Sequence, residues 1–151
     1  MSQALATPLS INKPTKSQIV NGVEKMKKVI ATKNAPSAIG TYSQAVQAGD
    51  TLYISGQIPL DPQTMEVVSE DFSKQAEQMF KNMSEVVKAA GGTMGNIVKV
   101  NLYLTDLSKF ALVNEAMARY FDEPYPARAA VEVSALPKGV QVEAEAIAYF
   151  P

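Results

Sequence analysis

Two stretches of apolar residues at helical spacing interrupt a chain whose other apolar residues alternate, and this switch of period constrains the fold more than any other feature. Phe72, Ala76, Met79, Phe80, Met83, Val86, Val87 and Ala90 recur as on one face of a helix. Ser69 is placed to cap that helix and Gly91-Gly92 to stop it. Thr105-Asp106 opens a second helix with Phe110, Val113, Met117, Tyr120 and Phe121 on its apolar face, ended by Pro124 and Pro126. Between the two, Ile97–Leu104 reads as a half-buried strand. Val98, Val100, Leu102 and Leu104 share one of its faces, and Lys99, Asn101 and Tyr103 the other.

The remaining segments read as strands. Val29-Ile30 is followed by a turn-prone Asn34-Ala35-Pro36, then by runs at Tyr42–Ala48 and Thr51–Ile58 joined through Gly49-Asp50, a hairpin signal. Ala127–Val133 and Gln141–Phe150 flank the Leu136-Pro137-Lys138-Gly139 loop. The order is three strands, helix, strand, helix, two strands, which predicts an α+β fold: a mixed six-stranded sheet with two helices packed on one face. In the last strand Val140, Val142, Ala144, Ala146 and Ala148 fill one face, while Ile147 and Tyr149 add apolar surface beside Glu143 and Glu145 on the other. A sheet partly apolar on its second face calls for a partner, most simply a second copy of the chain.

With 151 residues the chain has room for one domain and its core. Residues 1–25 are polar, carry two prolines and follow neither period, so they are expected to form a loosely held extension, with a single domain over 26–151. That extension lacks the apolar core of a secretory signal and has no arginine, and no stretch approaches the roughly 18 apolar residues of a membrane helix. A cytoplasmic protein without a membrane partner is expected. Bases and acids nearly cancel, 14 against 15, so there is no long-range field to gather nucleic acid. Glu70/Lys74 and Glu77/Lys81 stand four residues apart and read as ion pairs on a solvated helix face.

Cysteine, histidine and tryptophan are absent. That removes thiol nucleophiles, serine–histidine triads and the usual zinc sites. Proton transfer falls to carboxylates, lysine, tyrosine, the backbone or water. The notable cluster is then Tyr125-Pro126-Ala127-Arg128, with Glu143 fifteen residues later. Proline fixes the start of the strand, so Arg128 is held in a defined direction and can fork both oxygens of a carboxylate. Glu143 sits in an apolar strand, where partial burial suits it to general-base work. If the last two strands form a hairpin, these side chains fall within about two ladder positions of each other. On spacing alone, however, such residues ordinarily make a cross-strand ion pair; Tyr42 and Ser55 read as ordinary sheet residues, and Asn114 as a residue at the solvent edge of its helix.

The stretch Tyr125-Pro-Ala-Arg-Ala-Ala-Val-Glu-Val through Leu136-Pro-Lys-Gly-Val-Gln-Val-Glu143-Ala-Glu-Ala-Ile-Ala resembles the C-terminal signature of the RidA/YjgF reactive-intermediate deaminases. The likeness runs from Lys27 to Tyr149, through Asn34-Ala-Pro-Ser-Ala-Ile-Gly-Thr-Tyr42-Ser-Gln, Ile54-Ser55-Gly56-Gln57-Ile58-Pro59 and Val113-Asn114. It implies the chorismate-mutase-like YjgF fold and a homotrimer with three sites in the clefts between subunits, each taking a small carboxylated imine or 2-oxo acid. Arg128 would grip the substrate carboxylate and Glu143 would activate water, with Tyr42, Ser55, Gly56 and Asn114 lining the pocket. Where the family often carries cysteine, this chain has Ala130, whose backbone carbonyl still faces a ligand. The resemblance further implies hydrolysis of 2-aminoacrylate and 2-iminobutanoate to 2-oxo acids and ammonia without metal or organic cofactor. The alternatives are a 2-oxo acid sensor without turnover and a ribonuclease or translation inhibitor; the balanced charge and the lack of interleaved basic and aromatic residues argue against the latter.

Overall fold

The computed structural model describes residues 27–151, so the expected extension and the domain start at Met26 lie outside the described residues. Six strands form one sheet: β1 (Lys28–Ile30), β2 (Ala45–Ala48), β3 (Thr51–Gln57), β4 (Ile97–Leu104), β5 (Ala127–Glu132) and β6 (Val142–Tyr149). Their spatial order is β1-β2-β3-β6-β4-β5. Every pairing is antiparallel except β4 with β5, so the sheet is mixed as expected. Two helices, α1 (Phe72–Ala89) and α2 (Phe110–Tyr120), cover one face.

The core is the meeting of the two periods. Phe72, Ala76, Met79, Phe80, Met83, Val86 and Val87 from α1 and Val113, Ala116 and Met117 from α2 are buried against Val100, Leu102, Leu104, Val142, Ala144, Ala146 and Ala148. The alanines of β6 are small and buried beneath the helices, which leaves room for the bulky α1 side chains to pack on the sheet. Buried amides tie the periphery to this core. Asn82 on α1 donates to the carbonyls of Ile58 (3.1 Å) and Leu60 (3.0 Å), and Gln75 accepts from the Gln141 amide at 2.9 Å.

Several local expectations change. Asp71, not Ser69, caps α1, its carboxylate accepting from Lys74 N at 3.0 Å; Ser69 instead accepts from the Asp71 amide. Gly91, at φ +90°, ends the helix as expected in a backbone conformation that side chains disfavour. Asp106 caps a short 3-10 turn, Leu107–Lys109, that leads into α2. In β4 a bulge between Ile97 and Lys99 breaks the alternation, so Ile97 enters the core and Val98 turns out to 48% exposure. Glu70 precedes α1 and Glu77 turns to Arg119 on α2 at 2.7 Å, so neither expected lysine pair forms; this is the ion pair present among the described residues.

The expected hairpin between the last two strands is also corrected. β4 lies between β5 and β6, pairing in parallel with the first and antiparallel with the second. The connection from β5 therefore crosses over β4, and β5 becomes an exposed edge strand.

Candidate functional site

The first cleft is built where β3 loses its regular ladder. β3 pairs with β6 from Thr51 to Ile54, and the register then shifts before Gln57, so the irregularity falls at Ser55-Gly56. Such a bulge re-aims side chains and opens room beside a strand. Ser55 is fixed there by two bonds to the facing segment: its amide donates to Gln44 O at 3.0 Å and its Oγ to Ser43 O at 2.5 Å. Gln44 in turn binds Thr32 on both its amide and carbonyl and donates to Pro36 O at 2.7 Å, tying down the loop that carries Tyr42. β2 therefore begins only at Ala45, and Tyr42 lies in that loop rather than in the expected strand, 52% exposed.

Tyr42, Ser55, Gly56, Lys138, Glu143 and Glu145 line this cleft of about 580 Å³. Glu143 is half-buried, and none of the described residues donates a hydrogen bond to it. Burial, and after it the negative charge of Glu145, raises its pKa above the ordinary carboxylate range. Its carboxylate occupies the space that a side chain at position 56 would take. Lys138, in a left-handed backbone conformation at φ 56°, sends its Nζ to Met65 O at 2.8 Å.

A second cleft, of about 380 Å³, lies between α2 and the start of β5, lined by Asn114, Met117, Tyr125, Pro126 and Arg128. Arg128 Nη1 donates to Asn114 Oδ1 at 2.7 Å and lies 3.6 Å from Met117 Sδ, and its guanidinium carbon stands 4.8 Å from the Phe110 ring centroid. Phe110, Asn114 and Met117 are one helical turn apart on successive steps of α2, so one face of one helix supports the whole guanidinium. Nη2 and Nε have no acceptor among the described residues and remain as a fork for a carboxylate. Ala130 lies on the same side of β5, half-buried against the core.

Arg128 and Glu143 do not meet within one chain. Arg128 stands opposite Val100, whose side chain is under the helices, whereas Glu143 stands opposite Tyr103 on the uncovered face. Partners in register point to the same side of a sheet, so the two side chains project from opposite faces. The expected proximity rested on the hairpin that β4 interrupts, and the alternative of a cross-strand ion pair fails with it. Asn114 is exposed, at the solvent edge of its helix as expected, and is also a direct partner of Arg128. Phe110, Met117, Lys138 and Glu145 were not anticipated at either cleft. The signal available was the four-residue spacing of Phe110 and Asn114, and the two-residue spacing of Glu143 and Glu145.

The family described as Endoribonuclease L-PSP matches residues 32–150. The chain is 52% identical over 124 residues to a RutC family protein of Pyrococcus horikoshii, covering 82% of this chain and 98% of the relative. It is 49% identical over 123 residues to the human 2-iminobutanoate/2-iminopropanoate deaminase, covering 82% and 90%. Among solved structures, RidA from an Antarctic Psychrobacter species superposes with a TM-score of 0.79 at 55% identity, covering 82% of this chain and 99% of that one. TdcF of E. coli with bound serine superposes at 0.78 and 44% identity, over 82% and 99%. The fold and the two clefts thus define a small α+β protein with an arginine-lined cleft and a glutamate-lined cleft on opposite faces of a single sheet. This chain belongs to the RidA/YjgF family.

Proposed function

We propose that this protein is an imine deaminase, converting 2-aminoacrylate and 2-iminobutanoate to 2-oxo acids and ammonia in sites completed between copies of the chain. The observation that carries the reading is Glu143: a half-buried carboxylate with no described hydrogen-bond donor, raised in pKa, at the wall of an open cleft. A carboxylate held in this way takes a proton from water near neutral pH more readily than an ordinary surface glutamate. The human relative named as a 2-iminobutanoate/2-iminopropanoate deaminase, and TdcF with its bound amino acid, support a small carboxylated substrate.

Since Arg128 and Glu143 leave opposite faces of one sheet, a substrate of this size must reach them from two chains. The uncovered face supports such an assembly. Tyr53, Val98, Val131 and Tyr149 stand roughly half exposed on or beside it, apolar side chains that a second copy would cover. A closed ring of three copies sets the Arg128 cleft of one subunit against the Glu143 cleft of the next. Arg128 grips the substrate carboxylate by its free fork. Glu143 takes a proton from water as the oxygen adds to the imine carbon, giving a carbinolamine. Glu143 passes that proton to the imine nitrogen to complete the carbinolamine; the hydroxyl proton then moves through Glu143 to the same nitrogen as the carbon–nitrogen bond breaks, so that ammonia leaves and the 2-oxo acid remains. 2-Aminoacrylate enters the same sequence after tautomerising to 2-iminopropanoate.

The test is ammonia release from threonine in the presence of a pyridoxal-phosphate threonine dehydratase. The protein should accelerate the deamination of 2-iminobutanoate above its spontaneous rate. An unchanged rate, with 2-oxo acid still bound, would identify a sensor instead.

A further inference from the structure

Glu143 has a neighbour whose arrangement the proposed chemistry does not explain. Glu145 lies two residues on along β6, on the same face and roughly 6.6 Å away along the strand. It lines the same cleft. Unlike Glu143, it is firmly held: Tyr103 Oη donates to its Oε1 at 2.5 Å and Asn101 Nδ2 donates to the same oxygen at 3.2 Å. Both donors come from β4, which pairs with β6 along its whole length, so the clamp sits at the centre of the sheet.

The two carboxylates therefore share a cleft but not an environment. Hydrogen bonds to a carboxylate favour its ionised form, and burial without such bonds favours the protonated form. Glu145 receives two such bonds, and Glu143 receives none from the described residues. Charged and titratable groups around Glu143 come from each element packed on it: Glu145 from its own strand, Tyr103 from β4, Lys138 from the turn before β6 and Tyr42 from the loop before β2. The cation of Lys138 is directed to Met65 O, and the negative charge of Glu145 acts on Glu143 in the direction of tighter proton binding. The phenol of Tyr103 is pushed up to about 12, first by its bond to Glu145, then by burial and the charges of Glu145 and Glu143, so it stays a donor across the working range.

We propose that Glu145 is a positioning residue for the deamination: clamped by Tyr103 and Asn101 on the same face of β6, it keeps its carboxylate fixed beside Glu143 and makes Glu143 the proton-accepting member of the pair. Environments that push two neighbouring carboxyls apart assign their roles. Glu145 touches neither water nor substrate in this scheme. The proposal rests on Glu143 being the base.

The test follows Glu143 itself as well as the rate. The intact protein is labelled with 13C at the glutamate carboxyls, and the Glu143 resonance is assigned by its loss in Glu143→Gln. That resonance is titrated in the native protein, in Glu145→Gln and in Tyr103→Phe, and kcat/KM for 2-iminobutanoate is measured over the same pH range. In Glu145→Gln the Glu143 midpoint moves to lower pH, and the acid limb of kcat/KM moves with it. In Tyr103→Phe, which alters one hydroxyl and serves if the first variant does not fold, both move the same way by less. An unmoved midpoint in a folded variant overturns the proposal, yet leaves imine deamination standing if Glu143→Gln is inactive. A midpoint that moves while the acid limb stays fixed overturns it too, and shows in addition that Glu143 is not the base.

Discussion

Gly56 lies directly beneath the carboxyl group of Glu143. A Cβ at position 56 would stand 2.9 Å from Glu143 Cδ and closer still to Oε1, nearer than side-chain carbons approach one another. The bulge that interrupts the β3–β6 ladder falls at this point, so the backbone of β3 makes the floor on which the carboxylate rests.

Gly56→Ala should therefore fold but fail in catalysis. The φ angle of Gly56 is not among the positive values of this chain, so the backbone accepts alanine, and only the Glu143 carboxyl must move. A displacement of about 1 Å in a reacting group costs on the order of 10²-fold, and kcat should fall by that much with the melting temperature little changed. Native turnover in this variant would mean that Glu143 need not occupy its present position.

Glu143→Gln separates chemistry from stability. Turnover should drop by roughly 10²–10⁴, the usual contribution of a general base. Stability should change in the opposite sense. The raised pKa means that the folded protein binds the Glu143 proton more tightly than the unfolded chain does. The associated stability is fully present below the ordinary carboxylate range and is lost as pH rises through that range to the raised value. Glutamine carries no such loss, so the variant should melt above the native protein at neutral pH, and the gap should close in acid. Melting curves at both pH values check this; a native protein that is the more stable at neutral pH contradicts it.

Arg128 is held by Asn114 and by the Phe110 face, and the two supports should differ in effect. Arg128→Ala removes a charge-assisted pair with the substrate, about 1.5–3 kcal/mol, so KM should rise roughly ten- to more than a hundredfold. Asn114→Ala removes one hydrogen bond that orients the fork, about 0.5–1.5 kcal/mol, and should raise KM about two- to tenfold with kcat nearly kept. Steady-state kinetics on both variants decide it. Equal effects would make Asn114 a direct substrate ligand.

The architecture was legible because periodicity reports burial. The apolar face of α1, the alanines of β6 and the Gly49-Asp50 turn each carry their own local signal, and each lies where the spacing put it. What spacing did not carry was adjacency. Whether β5 pairs with β6 or crosses over β4 depends on which strand fills the centre of the sheet, and no local pattern records that. Arg128 and Glu143 were for this reason read as neighbours in one chain. The bulges at Ile97 and at Ser55-Gly56 were hidden likewise, since one extra residue in a strand leaves its composition unchanged. Asn114 was undervalued because its partner, Arg128, comes from another element.

The opposite projection of Arg128 and Glu143 makes a prediction that a site within one chain does not share. In assemblies of one variant alone, Glu143→Gln should lose turnover and Arg128→Ala should lose substrate capture at sub-KM substrate, because every site lacks one group. If each site takes Glu143 from one subunit and Arg128 from its neighbour, random assembly of an equimolar mixture restores both groups in about one quarter of sites. Co-expressing the two variants, or refolding them together, should return about that share of native deaminase activity, whereas mixing them after assembly should not. The geometry supports the outcome strongly, since β6 and β5 present their two clefts on different faces and no side-chain rotation carries Arg128 through the sheet. Activity in the co-assembled sample no greater than the average of the separate variants would remove the intersubunit site.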